Sequence, residues 1–117
     1  MLPNQVEVLS RLAEVSRLLD KATDDLAAFD EGAVRAKQRF EVAHARTYLA
    51  AEGSVNAREA IATIGCADEQ LEAELAAARV RACRERIRTL GAQLDVGRTL
   101  SAAIRSQCGA EATGQPA

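Results

Sequence analysis

The sequence predicts an all-α fold: a long antiparallel helical hairpin or a three-helix, coiled-coil-like bundle that forms homo-oligomers. The only prolines are Pro3 and Pro116, so 112 consecutive residues carry none, and proline is disfavoured inside helices. Aromatic residues make 3% of the chain, which is too little to fill the faces of a β-sandwich or barrel. Apolar residues recur at alternating spacings of four and three, the heptad pattern of packed helices.

The first helix is predicted over residues 3–30. Proline suits the first helical turn, so this helix is expected to start at Pro3 or Asn4. Gly32 follows two acidic residues and predicts a break or kink. The apolar seam of the helix runs through Val8, Leu12, Val15, Leu19, Ala22, Leu26 and Phe29.

A second helix is predicted over residues 33–52 and a third over residues 54–109. Gly53 is the expected C-terminal stop of the second helix, and Ser54 is the expected N-cap of the third. Possible breaks in the third helix fall near residue 65 and at residues 91–97, where glycines occur. Gly91 and Gly97 either mark a bend or permit close contact with another helix. Together these helices form a single domain over residues 1–109, and residues 110–117 are predicted to be a disordered tail.

The second helix has a seam of mostly small side chains: Ala33, Ala36, Phe40, Ala43, Thr47 and Ala50. The third continues the pattern through Ala76, Val80, Cys83, Ile87, Leu90, Leu94, Gly97, Ser101, Ile104 and Cys108. A small helical bundle buries little apolar surface for each residue, and such domains commonly oligomerise. Self-association is therefore expected.

Charge is distributed unevenly, although the net charge is only −2. Residues 79–105 hold seven arginines against Glu85 and Asp95, so an acidic partner is able to bind this segment alone. Heptad spacing places three of the arginines on one face, with two more on its edge, and arginine makes bidentate contacts to phosphate. The candidate DNA-binding residues are therefore Arg81, Arg84, Arg88, Arg98 and Arg105. A second basic group consists of Arg35, Lys37, Arg39 and Arg46.

The same features also have structural interpretations. The arginine face is equally typical of a solvated helix surface or of ion pairs between subunits. Tyr48, one turn from His44 and two from Phe40, is a candidate platform for base stacking, but aromatic residues at helical spacing usually pack in a core. Cys66, Cys83 and Cys108 form no C-x-x-C pair and His44 is the only histidine, so we expect buried thiols and no metal or other cofactor. No catalytic motif indicates an enzyme.

Three stretches of the chain resemble a known group of proteins. They are Phe40–Leu49, with an aromatic-Glu-x-Ala start; Ser54–Glu59, a Ser-aliphatic link ending in a basic residue and Glu; and Leu71–Arg105, a long helix with spaced arginines. Over about residues 35–107 the chain resembles small helical proteins of tailed phages, which are similar to the UvsY-type recombination mediator family. The resemblance implies a ring-forming helical subunit that binds single-stranded DNA and helps to load a recombinase against a single-strand-binding protein.

The sequence thus predicts a phage accessory protein of recombination-mediator type, which binds single-stranded DNA weakly. The alternative is a coiled-coil interaction module without DNA contact: a phage adaptor, an assembly factor or an inhibitor of a host protein. No apolar run approaches the length of a membrane span, so no membrane partner is expected. The expected location is the cytoplasm of a phage-infected or lysogenic bacterial host.

Overall fold

The structure is a computed structural model that describes residues 4–112 and the side chains of residues 4–109. The described residues form three helices and no strand, which confirms the all-α prediction. The helices are α1 (Gln5–Ala50), α2 (Val55–Gly65) and α3 (Ala67–Ala112). None of them, over these residues, has a stretch apolar and long enough to cross a membrane.

Side-chain caps mark where the helices begin. At the start of α1, the Glu7 backbone N–H donates to Asn4 Oδ1 at 2.8 Å, and the Asn4 N–H donates to Glu7 Oε2 at 3.4 Å. This reciprocal pair is a capping box. The predicted N-cap Ser54 is confirmed, since its Oγ accepts from the Ala57 N–H at 3.1 Å. The predicted start at Pro3 lies outside the described residues.

The predicted break at Gly32 is wrong, and the possible break at residues 91–97 does not occur. No break occurs at residues 30–33, because α1 continues through Gly32, and none occurs at residues 91–97, because α3 continues through both glycines. The interruption near residue 65 is confirmed, since α2 ends at Gly65. The chain also leaves helix before Gly53, which has a φ of +114°, a conformation that favours glycine.

The predicted tail needs correction as well. Residues 110–112 belong to α3, whereas residues 113–117 lie outside the described part of the chain. The segment predicted as one helix over residues 54–109 is therefore two helices, and the second extends past its predicted end. The segments predicted as two helices over residues 3–52 are one.

The chain divides into two compact units. The terminal unit comprises residues 1–24 and 85–117, and the middle unit comprises residues 25–84. In the terminal unit, the first part of α1 and the last part of α3 lie antiparallel. Val15, Ala22 and Leu90 form its buried cluster, with four leucine and isoleucine side chains packed partly against it: Leu18, Leu19, Ile87 and Leu94.

In the middle unit, two ion pairs join the antiparallel segments of α1 and α3. Arg39 Nη2 lies 2.7 Å from Glu72 Oε1, and Arg84 Nη2 lies 3.5 Å from Asp30 Oδ1. Small buried residues, Ala36 and Ala76, accompany these pairs. Charged residues beside an apolar seam select the register of paired helices, so these contacts favour the observed alignment.

Helix α2 packs against the end of α1 within the middle unit. Ala62 is fully buried. His44 Nε2 lies 3.2 Å from Glu59 Oε1, and the Thr47 hydroxyl lies 3.5 Å from Cys66 Sγ. These contacts explain why His44 is only partly exposed, and they place it in packing between helices.

Two of the three cysteines are buried as predicted, Cys66 and Cys83, but Cys108 is exposed. The expectation of a buried Cys108 is wrong, although its spacing continues the seam. Cys108 lies close to the end of α3, where periodicity no longer guarantees a partner surface.

The glycines of α3 predict a contrast in stability. A Cβ on Gly91 would meet no atom within 4 Å, whereas a Cβ on Gly97 would overlap Leu12 Cδ2 and lie 3.2 Å from Leu12 Cγ. Gly91→Ala is expected to raise the free energy of unfolding by about 1 kcal/mol, since alanine is the better helix former. Gly97→Ala must displace Leu12, so it should gain less or destabilise. Urea unfolding followed by circular dichroism measures both, and an equal gain at both positions would contradict the close contact.

Thiol reactivity should follow burial. Cys108 is expected to react with an aromatic disulfide reagent in the native protein, while Cys66 and Cys83, exposed by 2% and 6% respectively, should react only after opening or unfolding. Labelling with and without denaturant, followed by peptide mass analysis, identifies each thiol. Native labelling of all three at equal rates would contradict the packing.

Candidate nucleic-acid interface

An open groove lies between α1 and α3 in the middle unit, with a volume of about 480 Å³. Apolar side chains make up much of its lining, including the half-buried Phe40. Basic side chains reach it from both helices: Lys37 from α1, and Arg81 and Arg84 from α3. The remaining lining residues are Asp30, Ala33, Val34, Gln70, Ala73, Glu74, Ala77 and Val80. Two of the five predicted DNA-binding arginines thus line one surface feature.

The cations of the groove differ in their partners. Arg84 is paired with Asp30 across the helices, and Lys37 Nζ lies 3.9 Å from Glu41 Oε1 on its own helix. Arg81 has no carboxylate of a described residue within ion-pair distance and is exposed. The groove also contains Glu74, so its three cations are opposed by two acids. Its charge therefore favours an anionic ligand, but only weakly.

The other three predicted arginines belong to the terminal unit and are all exposed. Arg88 Nη1 lies 2.7 Å from Glu85 Oε2, and Arg98 Nη1 lies 3.9 Å from Asp95 Oδ1. Arg105 has no carboxylate of a described residue within ion-pair distance. These pairs connect residues three apart on an exposed helix surface, where ion pairs contribute little and exchange readily with solvent. The arginines remain accessible to phosphate.

Tyr48 has a more restricted position than its sequence spacing indicates. The Arg58 guanidinium lies over its ring, 4.7 Å from the ring centroid, and Arg58 Nε also donates to the Tyr48 carbonyl at 3.3 Å. One face of the ring is thus occupied by a cation from α2. A stacking role for Tyr48 stays a prediction that depends on the opposite face.

Sequence spacing did not show that Lys37, Phe40 and Arg81 line the same groove. The second basic group is in fact divided: Arg35 donates two hydrogen bonds to Glu31, and Arg39 pairs with Glu72. Only Lys37 of that group lines the groove. The sequence indicated only the positions of these residues along α1: Phe40 is a seam residue, and Lys37 lies one turn before Glu41. Without the register of α1 against α3, neither could be matched to Arg81.

Within the described residues, no cluster of histidine, cysteine or acidic side chains has the arrangement of a metal site. The chain matches no protein-family model, and comparison with curated proteins and with solved structures found no match. The groove and its charges are therefore the basis for any functional assignment.

The ion pair between Arg84 and Asp30 should contribute little to folding. Both side chains are about half exposed, 59% and 47%, and exposed pairs contribute about 0.2–1 kcal/mol. A double-mutant cycle with Arg84→Ala and Asp30→Ala, measured by urea unfolding, is expected to give a coupling energy below about 1 kcal/mol. A coupling of several kcal/mol would show that Arg84 is structural and remove it from the set of available phosphate contacts.

Proposed function

We propose that this protein is a non-enzymatic, self-associating accessory protein that binds single-stranded DNA weakly. The binding surface is the basic groove of the middle unit. Arg88, Arg98 and Arg105 of the terminal unit are separate candidate phosphate contacts. The recombination context, assistance to a recombinase in displacing a single-strand-binding protein, comes from the resemblance to phage mediators.

One observation supports DNA binding above the others. Lys37 and Arg81 come from different helices, yet they line the same groove as Phe40. Cations that follow a phosphate backbone, next to an aromatic side chain on which a base stacks, are the usual elements of single-strand binding. The groove has few amide side chains to read base edges, so binding should be indifferent to sequence.

The expected affinity is low for one copy of the chain. Asp30 and Glu74 oppose the anionic backbone, and three cations give few phosphate contacts. Several copies in one assembly present several grooves to the same strand, which raises the overall affinity without new contacts. Self-association and weak DNA binding are therefore consistent parts of one function.

Salt dependence tests the groove directly. The logarithm of the binding constant for a fluorescently labelled oligothymidylate should fall linearly with the logarithm of the salt concentration. Each phosphate contact to a single strand contributes about −0.7 to the slope of this line. The double variant Lys37→Ala/Arg81→Ala should lose two contacts, so the slope should become shallower by about 1.4. Fluorescence anisotropy at several salt concentrations measures this change.

The matched control removes two exposed arginines that do not line the groove, Arg17 and Arg46. Arg17→Ala/Arg46→Ala changes the net charge equally and should keep the salt slope of the parent protein. Equal loss in both variants would indicate a general charge effect and overturn the groove assignment. No binding by the parent protein in low salt would overturn DNA binding altogether.

A second candidate function is a helical interaction module without DNA contact. The ion pairs of Arg39 with Glu72 and of Arg84 with Asp30 favour it, because they use two basic side chains to join α1 and α3. Under this alternative, the Lys37→Ala/Arg81→Ala variant changes protein association and leaves oligonucleotide anisotropy unaltered. Anisotropy and association measured on the parent protein and on the Lys37→Ala/Arg81→Ala variant therefore separate the two functions.

A further inference from the structure

The aromatic side chain of the basic groove is in contact with a histidine that lies outside the groove. Phe40 lines the groove and is half-buried. The ring of His44, one helical turn further along α1, meets the Phe40 ring at a centroid distance of 5.8 Å and an interplanar angle of 67°. Aromatic pairs prefer this edge-to-face geometry, and residues four apart on a helix are placed to form it. His44 itself does not line the groove.

The same histidine is also held by helix α2. His44 Nε2 lies 3.2 Å from Glu59 Oε1, which is within ion-pair distance. The His44 side chain is 25% exposed, whereas that of Glu59 is 56% exposed. Because His44 contacts Phe40 on its own helix and Glu59 on α2, its ring is restricted in orientation. Glu59 therefore acts on the Phe40 ring through His44.

Helix α2 is a firm support for this contact, because it is attached to the end of α1 at further points. The Arg58 guanidinium lies over the Tyr48 ring, and Arg58 Nε donates to the Tyr48 carbonyl. The Thr47 hydroxyl lies 3.5 Å from the Sγ of Cys66, the C-cap of α2. Glu59 is thus presented by a helix that cannot move away from α1 without breaking these contacts.

We propose that His44 is a positioning residue, which holds the Phe40 ring in the orientation in which a base of single-stranded DNA stacks on it. This role rests on the DNA binding proposed for the groove and names the residues that prepare its stacking surface. In a helix, a phenylalanine side chain has two common χ1 rotamers, and an open groove does not select between them. The edge contact with His44 favours one rotamer, so less freedom is lost when the base binds.

The number of rotamers determines the size of the expected effect. Phe40→Ala removes the stacking ring and should weaken oligonucleotide binding about tenfold. His44→Ala keeps the ring but lets it divide between two rotamers, so the apparent Kd should rise only about twofold. Glu59→Ala should act in the same direction, because His44 then loses its contact with α2.

A double-mutant cycle on Phe40 and His44 tests whether the histidine acts through the ring. The Kd for labelled oligothymidylate is measured by fluorescence anisotropy on the parent protein, both single variants and Phe40→Ala/His44→Ala. His44→Ala should raise the Kd about twofold in the parent protein and leave it unchanged in the chain that already carries Phe40→Ala. An equal rise in both backgrounds would show that His44 contributes independently of Phe40, and would overturn the positioning role.

Two variants of Glu59 separate its contact with His44 from its charge. Glu59→Ala and Glu59→Gln remove the same negative charge, but only the glutamine keeps a hydrogen-bond acceptor. Glu59→Gln should therefore bind the oligonucleotide more tightly than Glu59→Ala. Thr47→Val removes a different contact between α1 and α2 and should keep the Kd of the parent protein. Equal Kd values for the two Glu59 variants would overturn the role of this contact.

Nuclear magnetic resonance of the free protein measures the ring contact without DNA. The chain contains two phenylalanines, one tyrosine, one histidine and no tryptophan, so its aromatic resonances are few. A nuclear Overhauser contact between the Phe40 and His44 rings is expected in the parent protein and in Glu59→Gln, and a weaker one in Glu59→Ala. Absence of this contact from the parent protein would overturn the inference.

The outcomes distinguish this role from the proposed function. Oligonucleotide binding that depends on Lys37 and Arg81 but is unaffected by His44→Ala keeps the groove function and overturns the positioning role. No binding by the parent protein overturns both. Circular dichroism checks the helicity of each variant. If His44→Ala lowers helicity, the exposed Glu59 still tests the same contacts through its alanine and glutamine variants.

Discussion

An unbroken apolar seam along α1 is the constraint on which the rest of the structure depends. Its positions continue at spacings of four and three from Val8 to Ala50 and keep their phase past Gly32. Val8, Val15, Ala22 and Ala36 on this seam are buried. Each unit thus has buried seam residues of α1: Val8, Val15 and Ala22 in the terminal unit, and Ala36 in the middle unit.

The small size of the seam residues determines what is left for other surfaces. Alanine and glycine at the contact allow close approach of helix backbones, as at Gly97 beside Leu12. They also contribute little apolar burial, since hydrophobic stabilisation is proportional to the area removed from water. Larger side chains at the margins, such as Val96 and Val34, consequently remain exposed. The buried seam between the helices is therefore small, and larger apolar side chains stay exposed beside it.

Charged residues beside the seam have two distinct roles. Arg39 and Arg84 join the helices through carboxylates, whereas Arg81, which lines the same groove as Arg84, has no such partner among the described residues. Arg81 and Arg84 lie one turn apart on α3, but only the guanidinium of Arg81 is free of such an ion pair with a described residue. An arginine count overestimates the positive potential of the segment, because part of it is neutralised by Asp30, Glu85 and Asp95.

The sequence by itself determined the helical class, the boundary at Gly53 and the apolar seams of the helices, and it indicated a possible interruption near Gly65. Proline-free heptads, a glycine at the expected helix stop and an N-cap serine are local signals. The predicted break at Gly32 failed because a cost of about 1 kcal/mol for glycine in a helix is outweighed when the seam on both sides packs in one phase. Tertiary structure alone decided which residues of different helices come together: Lys37 and Arg81 line one groove, Asp30 pairs with Arg84, and Leu12 packs against Gly97. Periodicity specifies the face of each helix, but the register between antiparallel helices comes from packing and ion pairs across them.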